Sequence, residues 1–231
     1  VGDDPQLMVY GDTIFQADLA DVLSRPGDGH LGVKRVDDPS RFGVVTQENG
    51  QVTGLVEKPT TFVSDLAIVG VNHIRDSRRL YACLGSLIRQ DHRTRDEFQV
   101  TDAFQAMIDE GAELGTFPVD HWFDCGTREA LLATNRIMLD GRTLPDVSAD
   151  VVIVPPAHID PTAQVSQCVI GPHVSVGAGA CVRQAVVRNS IVGEEAVVEN
   201  IVLEDSIIGF QAAVTGRPSH LNVGDLSQIT S

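Results

Sequence analysis

Glu57-Lys58-Pro59 sets a carboxylate beside an ammonium just past a strand-like run, and the proline fixes the backbone behind the pair. Such a pair can serve a sugar phosphate: the carboxylate accepts from hydroxyls and the ammonium faces phosphate. Its plain alternative is a solvated ion pair at a strand end, the commoner fate of an isolated Glu-Lys-Pro. Gly11-Asp12 follows a short apolar run, Gln6-Leu7-Met8-Val9-Tyr10. That puts Asp12 at the C-terminal edge of a strand, where open α/β sheets bind ligands; a turn or helix-cap aspartate would read the same. Asp124, next to Gly126-Thr127, is a third acidic position, readable equally as a helix-start carboxylate. Gly70 interrupts a strand over residues 67–74 and hints at close approach of backbone or ligand.

These residues need elements to hold them. Up to about residue 140, strand-like and helix-like segments alternate, which signals an α/β layer fold. Residues 6–10 read as a buried strand, 16–24 as a helix with Leu19, Val22 and Leu23 at helical spacing, and 31–36 as a strand. Asn49-Gly50 is a tight-turn signal between residues 42–46 and 52–56. The turn returns the chain antiparallel, so Gly43 should lie close to Glu57. Asp76 or Ser77 can cap a helix whose stripe is Leu80, Cys83, Leu84, Leu87 and Ile88. Thr101 or Asp102 can cap the next, with Phe104, Met107 and Ile108 inward and Gly111 ending it. After a strand over residues 114–119, Thr127 can cap a last helix, Glu129 close behind and Leu131, Leu132 and Ile137 packing.

Beyond Leu144-Pro145 helical periodicity stops. An aliphatic residue recurs every five or six positions: Ile159, Val165, Ile170, Val176, Val182, Val187, Val192, Val198, Leu203, Ile208 and Val214. Gly171, Gly177, Gly193 and Gly209 each follow one of them directly. Eleven positions in register spell a hexapeptide parallel β-helix, in which stacked coils bury what one coil cannot. A β-sandwich would show strict alternation over longer runs.

A chain of 231 residues can bury a sizeable core, and 42% hydrophobic with 21% charged residues is ordinary for a globular protein. The net charge of −15 argues against nucleic acid or an anionic membrane as partner. It does not exclude phosphate ligands, because a divalent cation can supply positive charge locally. No apolar run approaches the ~20 residues of a membrane span, and Val1-Gly2-Asp3-Asp4-Pro5 has no signal-peptide pattern. Cys83, Cys125, Cys168 and Cys181 show no zinc spacing and read as free thiols of a reducing cytoplasm.

In order, the motifs are Gly11-Asp12-Thr13, Arg41-Phe42-Gly43-Val44-Val45, Val56-Glu57-Lys58-Pro59, Ser64-Asp65-Leu66-Ala67-Ile68-Val69-Gly70, Arg95-Asp96-Glu97-Phe98-Gln99-Val100-Thr101-Asp102 and Trp122-Phe123-Asp124-Cys125-Gly126-Thr127. The series resembles the sugar-nucleotidyltransferases, in particular glucose-1-phosphate thymidylyltransferases of the longer kind with a C-terminal β-helix. The resemblance implies an α/β fold: a partial, N-terminally truncated Rossmann-like nucleotidyltransferase domain over residues 1–144, then a left-handed parallel β-helix over residues 145–231. It implies attack of a hexose-1-phosphate oxygen on the α-phosphorus of a nucleoside triphosphate, dTTP and glucose-1-phosphate being the leading pair, with Mg²⁺ neutralising charge and pyrophosphate leaving. By the same resemblance Asp12 and Asp124 hold the metal, as hard carboxylate ligands suit Mg²⁺. Glu57 takes the sugar hydroxyls, and Lys58 the sugar phosphate. Gly43 lets backbone approach the hexose, Ile68 and Gly70 line its pocket, and Arg95 is a further phosphate contact. Trp122 is expected to pack beneath the Asp124 loop.

Two departures stand out. Asn72 occupies a position where relatives carry an aromatic residue, and no G-x-G-T-R-x-x-P triphosphate loop or its catalytic lysine occurs in the sequence. The sequence therefore reads as a fragment, short of about three βα units, roughly a hundred residues at some thirty each. Its parallel sheet would have an open edge, and the chain alone is expected to be inactive. A non-catalytic regulatory or assembly homologue, oligomerising through the β-helix, is the alternative. Retention of Asp12, Lys58 and Asp124 opposes it. An acyltransferase using His158, His173 or His220 in the β-helix fits poorly, because about sixty residues make only three or four coils of some eighteen. A homo-oligomer built on β-helix contacts is the expectation.

Overall fold

The computed structural model describes residues 3–142, 147–216, 222–225 and 227–230. The chain divides into two compact units between Phe123 and Asp124. The boundary expected at Leu144-Pro145 lies outside the described residues.

The first unit runs β1 (Gln6–Val9), β2 (Thr13–Gln16), α1 (Leu19–Ser24), β3 (Gly29–Arg35), β4 (Gly43–Glu48), β5 (Gln51–Glu57), β6 (Leu66–Ile74), α2 (Ser77–Arg89), α3 (Val100–Asp109), β7 (Leu114–Pro118) and β8 (His121–Asp124). Six strands form one sheet in the order β1-β6-β3-β7-β5-β4, and β2 pairs with β8 in a separate ribbon. The sheet is mixed, not the parallel one expected. β3 and β7 run parallel, whereas β6 runs antiparallel to both β1 and β3, and β5 to both β4 and β7. The Asn49-Gly50 turn is one cause, because a two-residue connection can join only antiparallel neighbours. Asn49 has φ 51° and Gly50 φ 81°, as that turn requires.

Leu31, Ile74, Leu80, Phe104, Met107 and Leu114 are fully buried in the core shared by the sheet with α2 and α3. Val22, Val69, Val71, Phe117 and Val119 make a smaller second cluster, with Trp122 against it. β2 is a strand where a helix was expected to begin. Its four residues alternate too briefly to stand out, and α1 starts only after Asp18, whose side chain accepts from Asp21 N at 3.1 Å. Ile88, counted in the apolar stripe of α2, is exposed. Asn72 lies in the middle of β6 opposite Met8 and Leu31, fully buried, and neither of its amide atoms finds a partner among the described residues.

In the second unit α4 (Arg128–Leu139) is capped by Thr127, whose hydroxyl accepts from Ala130 N at 3.2 Å. Leu132 packs inward as expected, but Ile137 is exposed. Beyond it the chain winds into a parallel β-solenoid with three ladders of five, five and four strands among the described residues. Of the eleven recurring aliphatics, Val165 is half-buried and the other ten are buried. Ala157 pairs with Val174, Ser175 with Ile191, Ile191 with Ile207 and Ile208 with Val223, so a coil takes fifteen to seventeen residues rather than eighteen. Between the strands, single residues turn the corners with positive φ, among them Gln184 (49°), Asn189 (41°) and Glu195 (55°). The ladders begin ahead of Ile159, the first of the eleven, with Val151 paired to Cys168.

Candidate functional site

Gly43 and Glu57 are cross-strand partners at the open end of the β4–β5 hairpin. The Glu57 side chain is only 8% exposed, against 31% for Lys58, and the Lys58 ammonium lies 3.8 Å from its Oε1. Oε2 is held by the Thr101 hydroxyl, which donates at 2.7 Å. Thr101 was expected to cap α3. The helix instead starts one residue earlier, at Val100 after Gln99, without a side-chain cap, and Thr101 is free to hold the carboxylate. The other cap candidate, Asp102, accepts from Thr94 Oγ1 at 2.8 Å. A Cβ at Gly43 would lie 2.8 Å from Thr101 Oγ1 and 2.9 Å from Glu57 Oε2. The glycine therefore makes room first for the Glu57–Thr101 pair.

Lys58 turns with φ 42°, its N–H bonded to the Phe42 carbonyl at 3.0 Å, and its own carbonyl accepts from Arg95 Nη2 at 2.8 Å. Arg95, also at positive φ (55°), is thereby tied to the Lys58 backbone. Arg41, Lys58 and Arg95 line one open cleft of about 670 Å³ with Ser40, Pro59, Thr60 and Glu97. Three cationic side chains and one carboxylate thus line one cleft on a protein of strongly negative charge. Sequence reasoning quoted Arg41 within its motif but gave it no role; its type beside Phe42-Gly43 was the available signal. A groove of about 570 Å³ on the solenoid, between Gln167, Gln184 and Asn200 on one side and Val152, Val169, Val186 and Val202 on the other, holds the carboxylate of Asp150 and no cation. It does not suit a phosphate.

Gly70 has φ 73°, and a Cβ there would lie 2.5 Å from Tyr10 Cδ2 and 3.1 Å from Thr13 Oγ1. Tyr10 N–H bonds the Gly70 carbonyl at 2.9 Å, so the close approach that Gly70 permits is with the Tyr10 ring. Burial first, then the Glu57 and Asp12 carboxylates, push the Tyr10 phenol up to about 12. Tyr10 thus stands within electrostatic reach of two of the acidic residues singled out from the sequence. Nothing in the sequence marked it, because it reads as the apolar end of β1. Ile68 is buried in the sheet core.

Asp12 is exposed on the turn between β1 and β2. Asp124, in the second unit, is half-buried at the end of β8, and its Oδ1 accepts from Gly126 N at 3.1 Å. Among the described residues no three acidic, His or Cys side chains converge on a point. As donors, the carboxylates of Asp12 and Asp124 are of the hard oxygen type that suits a divalent cation completing its shell with phosphate and water. Trp122 stacks edge-on with Phe42, ring centroids 5.2 Å apart, and its indole N–H is buried without a partner among the described residues. None of the four cysteines is in a disulfide among the described residues. His158 is half-buried on the solenoid, His173 sits at a corner with φ 60°, and His220 lies outside the described residues.

The sequence model of the nucleotidyl transferase family matches residues 1–141. A glucose-1-phosphate thymidylyltransferase of Streptomyces griseus is 30% identical over 219 residues, covering 83% of this chain and 60% of that protein. The enzyme of that name from Streptomyces antibioticus is 29% identical over the same shares. A low-salt glycan biosynthesis nucleotidyltransferase of Haloferax volcanii is 26% identical over 220 residues, again 83% and 60%. The chain spans about 60% of the length of these relatives.

Proposed function

The chain belongs to the nucleotidyl transferase family, and from that premise we propose that it carries the sugar-phosphate half of a sugar-1-phosphate nucleotidyltransferase. One observation carries this reading: a nearly buried carboxylate, Glu57, clamped by Thr101 and next to Lys58, which lines one cleft with Arg41 and Arg95. Glu57 accepts from hexose hydroxyls, since a fixed carboxylate offers acceptors only. Lys58, with Arg95 and Arg41, takes the phosphate, where guanidinium forks and an ammonium complement its oxygens. Holding the phosphate oxygen at a fixed place is the main contribution such a site makes, because the transfer itself is a matter of positioning and charge neutralisation. Asp12 and Asp124 are the proposed Mg²⁺ carboxylates, and the ion would offset the charge of the triphosphate.

Glucose-1-phosphate and dTTP are the proposed substrates, the names of the Streptomyces relatives favouring them. Four cysteines outside any disulfide suit a reducing cytoplasm, and no helix among the described residues is long and apolar enough to cross a membrane. The solenoid is proposed as the subunit-contact scaffold of a homo-oligomer.

Calorimetric titration of the chain with glucose-1-phosphate tests the site. Lys58→Ala should weaken binding by about tenfold or more, as loss of a charge-assisted contact of roughly 1.5–3 kcal/mol implies. Equal affinity of wild type and Lys58→Ala would remove the lysine from the phosphate site.

A further inference from the structure

Tyr10 is half-buried just past the end of β1, directly before Gly11-Asp12, and its hydroxyl makes no hydrogen bond among the described residues. The groups around it are those already placed at the site. Its ring lies over Gly70 on the side where a Cβ would be, its N–H is bonded to the Gly70 carbonyl, and its carbonyl accepts from Thr13 N at 3.3 Å. The Glu57 side is brought close by pairing: Gly43 faces Glu57, and β4 pairs with β6 at Val44–Ala67, three residues before Gly70; the Glu57 and Asp12 carboxylates both act on the phenol. A phenol whose ring is held against a glycine, whose O–H has no acceptor among the described residues and which feels a clamped carboxylate, can donate to an acceptor that arrives with a ligand.

A sugar hydroxyl is that kind of group, able to accept and donate at once. Glu57 can accept only, and its Oε2 already serves Thr101. A hydroxyl that gives its proton to Glu57 still has lone pairs to receive one from Tyr10. We propose that Tyr10 is a specificity-determining residue of the hexose pocket: its phenol donates to one sugar hydroxyl that in turn donates to Glu57, while its ring closes the pocket floor over Gly70. This rests on the sugar-phosphate reading above. The ligand class is a hexose-1-phosphate with a free hydroxyl at that position. A sugar deoxygenated there leaves the phenol unpaired, and one acylated there meets the ring.

The experiment is calorimetric titration of the 231-residue chain with glucose-1-phosphate and each of its monodeoxy analogues, for wild type, Tyr10→Phe and Lys58→Ala. Tyr10→Phe should weaken glucose-1-phosphate by about three- to tenfold, the range of one neutral hydrogen bond. It should leave unchanged the affinity of the one analogue lacking the contacted hydroxyl, whereas a merely structural role would weaken all ligands together. Tyr10→Leu, which also uncovers Gly70, should weaken every ligand but the same analogue least, and provides the comparison if the Phe variant fails to fold. Uniform weakening of every ligand, or no weakening by Tyr10→Phe while Lys58→Ala weakens all, overturns the assignment of Tyr10 alone. Wild type binding none of these sugar phosphates overturns the site reading and Tyr10 with it.

Discussion

At Gly43 the backbone comes so near Glu57 and Thr101 that one methyl group decides whether the carboxylate keeps its clamp. The contacts a Cβ would meet are oxygens of two side chains held by a 2.7 Å hydrogen bond, and neither is the loose end of a flexible chain. Gly43→Ala should therefore break the Glu57–Thr101 bond or push β4 from β5. The expected result is loss of glucose-1-phosphate affinity by tenfold or more with a stability cost of about 1–3 kcal/mol, the cost of overpacking, read by calorimetry and by thermal melting. Unchanged affinity would mean that the Glu57 clamp has no part in binding. The same scale shows why residue type alone was an incomplete guide. Glu57, Lys58 and Arg95 could be picked out by charge, but Thr101 looks like a cap and Tyr10 like the end of a buried strand. Their roles depend on which neighbours the fold supplies.

The β3–β6 pair holds two histidines face to face, His30 opposite His73, both buried, with neither Nδ1 partnered among the described residues. Burial, then the Arg25 charge, lowers the pKa of His30; burial, then Arg75, lowers that of His73. Of the groups acting on this pair, Asp21 opposes the shift at His30 and is outweighed. Both histidines thus fold in the neutral form. In the unfolded chain each takes up a proton near its ordinary value of 6.5, so below that pH the unfolded state binds more protons than the folded one. Stability should be flat above about pH 7 and fall as pH drops through 6.5, because acid drives the chain toward the protonated state. Melting curves of the wild type between pH 7.5 and 5.5 should show the drop, and His73→Gln should shrink it. A pH-independent melting temperature in the wild type would contradict the assignment. The same strand pairing was only partly legible in advance. The alternating runs and the Asn49-Gly50 turn announced hairpin strands, whereas the insertion of β6 between β1 and β3 follows from long-range pairing that no local pattern encodes.

At the scale of the whole molecule, an acidic chain of net charge −15 concentrates Arg41, Lys58 and Arg95 in one cleft, but no G-x-G-T-R-x-x-P loop occurs in its sequence to cradle a triphosphate in backbone N–H groups. The 231 residues should accordingly bind a sugar phosphate without turning it over. No pyrophosphate release is expected from the purified chain with dTTP, Mg²⁺ and glucose-1-phosphate, and its detection in a coupled assay would show that the triphosphate is held by residues other than that loop. The second unit was the most legible part of the sequence. Its aliphatic period reappears as the buried column of the solenoid, running through Ile170, Val187 and Leu203 on one ladder. Each coil stacks on the next at fixed register, so sequence separation and position in space stay proportional there.

The sequence by itself determined the class of each unit, α/β followed by a stacked β-solenoid, because both rest on short-range periods of apolar residues. It also marked Glu57 and Lys58, whose hairpin register is set by a two-residue turn, and paired Gly43 with Glu57 across it. Tertiary structure alone decided that Thr101 would hold Glu57 rather than cap α3, that Arg41 would join Lys58 and Arg95 in one cleft, and that the Tyr10 ring would fill the space over Gly70. Those contacts join residues tens of positions apart, where the partner is chosen by the packing of β1, β6 and α3 and not by any neighbour in the chain.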